Sequence, residues 1–340
     1  MNTICCVLEW ENAEGLEREE ARHFLGALIQ KLEAFGESQN RKMELMIIFD
    51  EDVPKDDIEE DLTLSESGPV ERVEIKLLCA PGTGYYDKKG LAPYFTEADL
   101  LIYADSDCAY VPDWLEQHIT AIEVEGASVS SGYTQALAPA NLIEEVCTYA
   151  WFFPSEDPRD RLHRKAKNRF FANNFAAKRS VLLDVPLPRL DASRGHGGVW
   201  TKRLAERQVK LVKLPGARAD HKQYDTVGDM FKRALILGRD KDFGLFINGA
   251  GRGKRIWRSF VALFETTVKF LQRFFTVALR NTPVWHWPIV LVLGLAFQWI
   301  TTARQMVAAT AQTYAEEQEG YSDLAARATT SIWTATPSPA

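Results

Sequence analysis

Asp105 and Asp107 stand one residue apart, where the apolar run Leu100-Leu101-Ile102-Tyr103-Ala104 ends. In an extended segment residues i and i+2 face the same side, so the two carboxylates converge. Converging carboxylates repel unless a cation or hydrogen-bond donors lie between them. A hard divalent ion shared with a phosphate is the usual occupant. Asp107 has a competing use as a helix cap, because a helical pattern follows over 113–119. Ionisable residues close other apolar runs in the same way. Glu9-Trp10-Glu11-Asn12 follows the run 3–8, Asp50-Glu51-Asp52 follows 43–49, and Asp220-His221 follows 209–219. Lys88-Lys89 lies in the glycine-punctuated loop 81–90, after a further run at 73–78.

The runs at 3–8, 43–49, 73–78 and 100–104 read as buried strands, and helical patterns at 16–35 and 113–123 alternate with them. Strands alternating with helices predict an α/β fold around a mostly parallel sheet. Ligands of such sheets bind beyond the carboxyl ends of the strands, where these charged residues gather. Further on, 127–132 reads as a strand, 140–153 as a helix, 155–169 as a charged stretch, and 171–183 as a short strand entering a helix. A polar, glycine-rich loop at 191–198 precedes a helix at 199–207 and a strand at 209–219 that Pro215 interrupts.

The chain of 340 residues carries a net charge of −7, which gives nucleic acid no general attraction. Charge is uneven: 9–20 and 51–72 are acidic, 158–179 and 252–258 basic. The five cysteines form no Cys-x-x-Cys pair and read as reduced cytosolic thiols. A strand pattern begins at once, so no cleavable secretion signal is expected. Residues 284–303 carry no formal charge, are long enough to cross a bilayer, and place Trp285, Trp287 and Trp299 near its interfaces. Residues 256–279 form an aromatic, amphipathic helix behind the basic cluster, which suits an anionic membrane surface. The expected organisation is a catalytic domain at 1–245, a membrane-surface helix at 250–280, a transmembrane or embedded helix at 284–303, and a partly disordered polar tail at 304–340. Basic residues before the apolar segment put the catalytic domain on the cytoplasmic side of the cell membrane.

Over about residues 3–240 the order of these features resembles family 2 glycosyltransferases of the GT-A fold. The resemblance rests on Glu9-Trp10-Glu11-Asn12, Asp50, the Gly84/Lys88-Lys89-Gly90 loop and Asp105-Ser106-Asp107. It continues through Asn174-Phe175-Ala176-Ala177-Lys178-Arg179, Arg203-Leu204 and His221. It implies a GT-A type Rossmann-like mixed sheet and a metal-dependent, inverting transfer from a nucleotide-diphosphate sugar, a UDP-sugar in the first instance. The acceptor would be a hydroxyl of a glycan or lipid-linked molecule, and the pathway one of polysaccharide or glycan biosynthesis. Asp107 would ligate Mg²⁺ or Mn²⁺ with His221, and Asp105 would contact ribose or metal-bound water or join the metal site itself. Glu9 and Asp50 would meet the nucleoside, Lys88 or Lys89 the phosphates, and Asn173 and Asn174 the acceptor side.

One departure matters. Where the resemblance calls for a Glu-Asp pair that supplies the general base, this chain has His196-Gly197, within Asp191-Ala192-Ser193-Arg194-Gly195-His196-Gly197-Gly198. His196, titrating near neutrality, or Asp191 would take over as base, and Arg194 would bind a phosphate or an anionic acceptor group. Two other readings compete. One is a non-catalytic nucleotide-sugar-binding or membrane assembly protein. The other is a sugar-nucleotide pyrophosphorylase, disfavoured because no glycine-rich phosphate cradle follows the first strand.

Overall fold

The computed structural model describes residues 3–10, 18–65, 70–150, 153–163, 168–315, 317–318 and 320–333. Glu11 and Asn12 of the first strand exit lie outside the described residues, as do 151–152 of the expected 140–153 helix and 164–167 of the basic stretch.

The elements, in chain order, are β1 (Thr3–Glu9), α1 (Arg18–Ser38), β2 (Lys42–Phe49), α2 (Lys55–Leu64), β3 (Val73–Cys79), α3 (Tyr85–Leu91), β4 (Leu100–Asp105) and β5 (Cys108–Tyr110). Then come α4 (Trp114–Glu123), β6 (Val129–Ala136), α5 (Leu142–Ala150), β7 (Asn174–Lys178), α6 (Arg179–Asp184), α7 (His196–Glu206) and β8 (Leu211–His221). The remainder is helical apart from one strand: α8 (Val227–Ile247), α9 (Arg252–Arg273), α10 (Trp287–Ala311), α11 (Ser322–Ala325) and β9 (Thr329–Trp333).

The strands form one sheet in the order β5-β8-β6-β7-β4-β1-β2-β3-β9. β1–β4, β6 and β8 run one way, and β5, β7 and β9 run against them. The sheet is mixed and mostly parallel, and helices flank it, as the sequence predicts. Alternate residues of β1 feed opposite faces. Ile4, Cys6 and Leu8 pack with α1, α2 and α4, while Cys5 and Val7 pack with α3, α6 and α7. Burial on both faces is why the strand reads as a continuous apolar run rather than an alternating one. Pro215 does not end β8; the strand passes it with a register shift opposite Ser131 and Tyr133.

A third apolar cluster lies off the sheet, where α5, α8, α9 and α10 meet. α8 and α10 cross closely at Gly238. A Cβ there would lie 2.3 Å from the Thr301 carbonyl oxygen and 2.9 Å from the Gln305 nitrogen. Because both are backbone atoms, α10 as a whole must move to admit a methyl group. Gly238→Ala is expected to destabilise the protein by about 1–3 kcal/mol, read as a lower urea midpoint at unchanged m-value.

The tail, expected to be partly disordered, is largely described up to residue 333, and 334–340 lie outside the described residues. Residues 304–311 continue α10, and the chain then returns across the sheet domain. Tyr321 is buried against Gly90 and donates to the Leu187 carbonyl at 2.9 Å. Arg189 pairs with Asp323 at 2.8 Å. β9 then covers the edge strand β3 in antiparallel register, Ile75 opposite Trp333. The segment Val284–Ala311 is long and apolar enough to cross a membrane by length and composition.

Candidate active site

The carboxyl ends of β1, β2 and β4 and the facing end of β8 bring most of the sequence-predicted residues together, in two groups. In the first, Glu9, Lys88 and Asp50 associate; the Lys88 ammonium is 3.9 Å from each carboxylate. Asp50 also accepts from the Glu51 and Gly82 nitrogens at 2.7 and 2.9 Å, which joins the β2 exit to the loop before α3. These three residues stand outside the wall of the cavity described below.

The second group surrounds Asp105 and Asp107. Asp105 is fixed by short hydrogen bonds: its carboxylate accepts from the Tyr85 hydroxyl at 2.7 Å and from the Lys89 ammonium, and its backbone nitrogen donates to the Tyr110 oxygen at 2.8 Å. Lys89 donates as well to the Tyr85 oxygen and the Ala172 carbonyl, each at 2.8 Å. An ammonium has three protons, and all three are used within the protein. The expectation that Lys89 meets phosphate is corrected on that ground. Lys88 is likewise buried among carboxylates rather than solvated. Asp105, neutralised by Lys89, is held back from direct metal ligation.

Asp107 is different. Its Oδ2 faces His221 Nε2 at 3.3 Å, and Asp107, Cys108 and His221 offer ligand atoms within 4.8 Å of one another. β5 and β8 create this closeness by pairing Cys108 with His221. His221 Nδ1 donates to the Lys222 carbonyl, so the proton of a neutral ring sits on Nδ1. Nε2 then aims a lone pair at a carboxylate, an arrangement that calls for a proton or a cation between them. One carboxylate and one imidazole suit Mn²⁺ or Mg²⁺ and leave positions for phosphate and water. Burial and the nearby Asp105 push the Asp107 carboxyl up, while His221 opposes them. No metal cluster in the sequence marked Cys108, whose thiol burial pushes well up.

Asp105, Asp107 and His221 open into a cavity of about 690 Å³ that is also lined by Tyr85, Tyr86, Asn173, Arg194, His196, Tyr224, Arg169 and Arg233. Arg194 is where the sequence placed an anion-binding group. Burial and the neighbouring Arg233 charge push its guanidinium down to about 9. Arg233 and Arg169 were missed, because α8 and the charged stretch before β7 carry no motif of their own.

The two base candidates fare differently. His196 lines the cavity at the first turn of α7, stacked on Tyr86 with ring centres 3.9 Å apart. Burial pushes it down to about 3, and its Nδ1 has no hydrogen-bond partner among the described residues. The expected near-neutral titration is therefore corrected: His196 is a neutral imidazole and a weak base. Asp191 is corrected more fully. It pairs with Arg239 of α8, accepts from the Ala315 nitrogen at 3.1 Å, and is not part of the cavity wall.

Of the two acceptor-side asparagines, Asn173 lines the cavity, accepting from Thr134 at 3.0 Å and donating to Cys108 Sγ at 3.4 Å. Asn174 instead knits the core. Its Oδ1 accepts from Trp114 Nε1 at 2.8 Å and from His118 Nε2 at 2.9 Å, and its amide donates to the Tyr133 and Ala217 carbonyls. With Nε2 donating, His118 Nδ1 accepts from Ser130 at 2.7 Å. Burial pushes His118 down to about 4.

His118 and His196 together set a pH dependence. The unfolded chain takes up protons near pH 6.5 that the folded protein refuses until about 4 and about 3. Stability is therefore full above pH 6.5 and falls as pH drops through that window, by about 1.4 kcal/mol per pH unit for each histidine. Urea midpoints at pH 7.5 and pH 5 (values chosen to bracket roughly that range) check it, and equal midpoints would refute it.

No protein-family model and no curated protein matches the chain. Among solved structures it is similar to a mannosyltransferase from Pyrobaculum calidifontis in complex with GDP-Man and Mn²⁺, at 11% identity and a TM-score of 0.49, over 90% of this chain and 85% of that one. It is also similar to glucosyl-3-phosphoglycerate synthase from Mycobacterium tuberculosis in complex with Mn²⁺, UDP and phosphoglyceric acid, at 15% identity and 0.41, over 69% and 76%. Mannosyl-3-phosphoglycerate synthase from Rubrobacter xylanophilus follows at 15% and 0.44, over 73% and 75%. At these identities the likeness is one of chain path.

Proposed function

We propose that the protein is a metal-dependent glycosyltransferase that moves a sugar from a nucleoside diphosphate to an acceptor hydroxyl, working at a membrane through the segment beyond residue 250. The observation that carries this reading is the His221–Asp107 pair, its imidazole lone pair set toward a carboxylate at the mouth of a cavity large enough for a nucleotide sugar. A divalent ion held there would stabilise the charge that develops on the departing diphosphate. Asp107 and His221 would hold it, and Asp105, fixed by Lys89 and Tyr85, would contact ribose or metal-bound water. Glu9, Asp50 and Lys88 stand outside the cavity wall, so they would meet the nucleoside only where the donor extends beyond it. Arg194, with Arg233 and Arg169, offers positive charge to a phosphate or an anionic acceptor. His196 presents a neutral ring for hydrogen bonding to the acceptor.

The loss of both expected bases, Asp191 and His196, favours a second reading, a protein that binds nucleotide sugar without turning it over. Asp191 is sequestered and His196 is too weakly basic to take a hydroxyl proton readily. Titrating the full chain with UDP- and GDP-sugars, with Mn²⁺, with Mg²⁺ and after chelation, separates the possibilities. Metal-dependent binding with sugar transfer or slow hydrolysis supports the enzyme. Metal-dependent binding without turnover supports the binding protein, and binding indifferent to metal overturns the site.

A further inference from the structure

α9 and α10 form an antiparallel hairpin. Arg252 donates to the Thr310 carbonyl, Trp299 Nε1 donates to Thr267 Oγ1 at 3.1 Å, and Phe270 packs on Gly294. The inner face of α10 carries the polar residues Gln298, Thr301, Thr302 and Gln305 beside Val290 and Phe297, all buried. Gln298 donates to the Ala150 carbonyl of α5 at 2.6 Å. The outer face of α10 is apolar at helical spacing through Ile289, Val292, Trp299 and Val307, and Trp285 in the turn before it continues the stripe. α9 adds Trp257, Phe260, Phe264 and Val268, and Phe275 follows in the turn after it. Trp257 is 62% exposed and Trp285 73%, an orientation that an aqueous surface does not reward.

We infer that this hairpin docks lengthwise on an anionic lipid bilayer, both helices lying in the plane of the interface, and that α10 does not cross it. The inference rests on the proposed membrane association and specifies its geometry. Crossing would carry Gln298, Thr301 and Gln305 into hydrocarbon and strip Gln298 from the Ala150 carbonyl of α5, a partner that lipid does not replace. Lying flat keeps every inner contact and sinks the aromatic stripe to the depth that tryptophan rings favour. Charge selects the partner. Of the eight Lys and Arg residues from Arg252 to Ala311, Arg255 and Arg273 are buried on Asp242 and Asp160, which leaves six against one acidic residue, Glu265, in a chain of net charge −7. Anionic headgroups complement that segment. A symmetric second copy would set the same basic residues against each other.

The test uses the full chain. It is expected to sediment with vesicles of phosphatidylcholine and phosphatidylglycerol and much less with phosphatidylcholine alone. Trp257→Ser with Phe264→Ser is expected to weaken that binding by about tenfold or more at an unchanged melting midpoint, since both side chains are exposed. Lys254→Glu with Arg258→Glu is expected to remove the preference for anionic lipid. Cysteines introduced separately as Trp285→Cys and Thr310→Cys, at opposite ends of α10, are then labelled with an impermeant maleimide in expressing cells. Equal labelling from one side of the membrane, with release by alkaline carbonate, fits the inference. Labelling from opposite sides overturns the in-plane geometry while leaving membrane association standing. No vesicle binding, or a dimer that the same serine substitutions dissociate, overturns both, and equal binding to neutral vesicles overturns the charge selection.

Discussion

The Asp107→Ala protein loses the Mn²⁺-dependent part of its nucleoside diphosphate affinity, a fall on the order of 100-fold or more. Outer partners of metal ligands already cost 10–100-fold when removed, so a ligand itself belongs at or beyond the upper end. Folding is retained, because Asp107 is a buried carboxyl that its surroundings push toward the neutral form. Its removal relieves that burial cost and leaves no cation stranded. Calorimetric titration of UDP and GDP with and without Mn²⁺ gives the affinity, and a thermal melt gives the folding control. His221→Ala is expected to act in the same direction. Unchanged metal-dependent affinity in either variant would show that the ion, if bound at all, sits elsewhere.

The second large effect is on stability and lies far from the cavity. Arg273, at the end of α9, is buried and donates to Asp160 at 2.6 and 3.0 Å and to the Tyr149 and Phe153 carbonyls at 3.1 and 2.7 Å. It joins the hairpin to the loop after α5. Asp160 also accepts from the Ser155 nitrogen at 2.9 Å and the Leu162 nitrogen at 3.0 Å. Arg273→Met leaves a buried carboxylate without its counter-charge and is expected to cost about 3–5 kcal/mol. Adding Asp160→Asn should recover a large part of that loss, because the amide needs no cation. Denaturant midpoints of both single variants and the double variant form the cycle. Additive effects would mean that the pair is not coupled.

The parallel strands were legible because burial on both faces writes itself as short apolar runs, and their charged exits showed where a ligand belongs. β5 and β9 were not, since short edge strands carry little pattern, and β9 lies in a stretch whose composition reads as polar tail. α2 escaped notice for a similar reason, being acidic and largely exposed. Within the site, spacing set Asp105 beside Asp107, and the resemblance pointed to His221. Neither could show what each neighbour was already holding. Lys89 reads like a solvated lysine until the fold brings Asp105 and Ala172 to it, and Asp191 reads like a free carboxylate until α8 supplies Arg239. Both corrections come from partners distant in sequence. The His196 correction is electrostatic. Glycines on both sides suggested a mobile ring, whereas the ring is packed under Tyr86 and loses its proton to burial.

The closure of β3 by β9 also bears on how the chain is made. Ile75 leaves the ribosome early, yet its pairing partner Trp333 emerges about 250 residues later, tens of seconds afterwards at about 5–20 residues per second. During synthesis β3 is an open edge with unpaired backbone groups, the kind of surface that recruits stray strands. The nascent sheet domain therefore has a vulnerable period that ends only when nearly the whole described chain has been translated. A chain prematurely terminated after α8 would keep the cavity residues and leave that edge permanently uncovered.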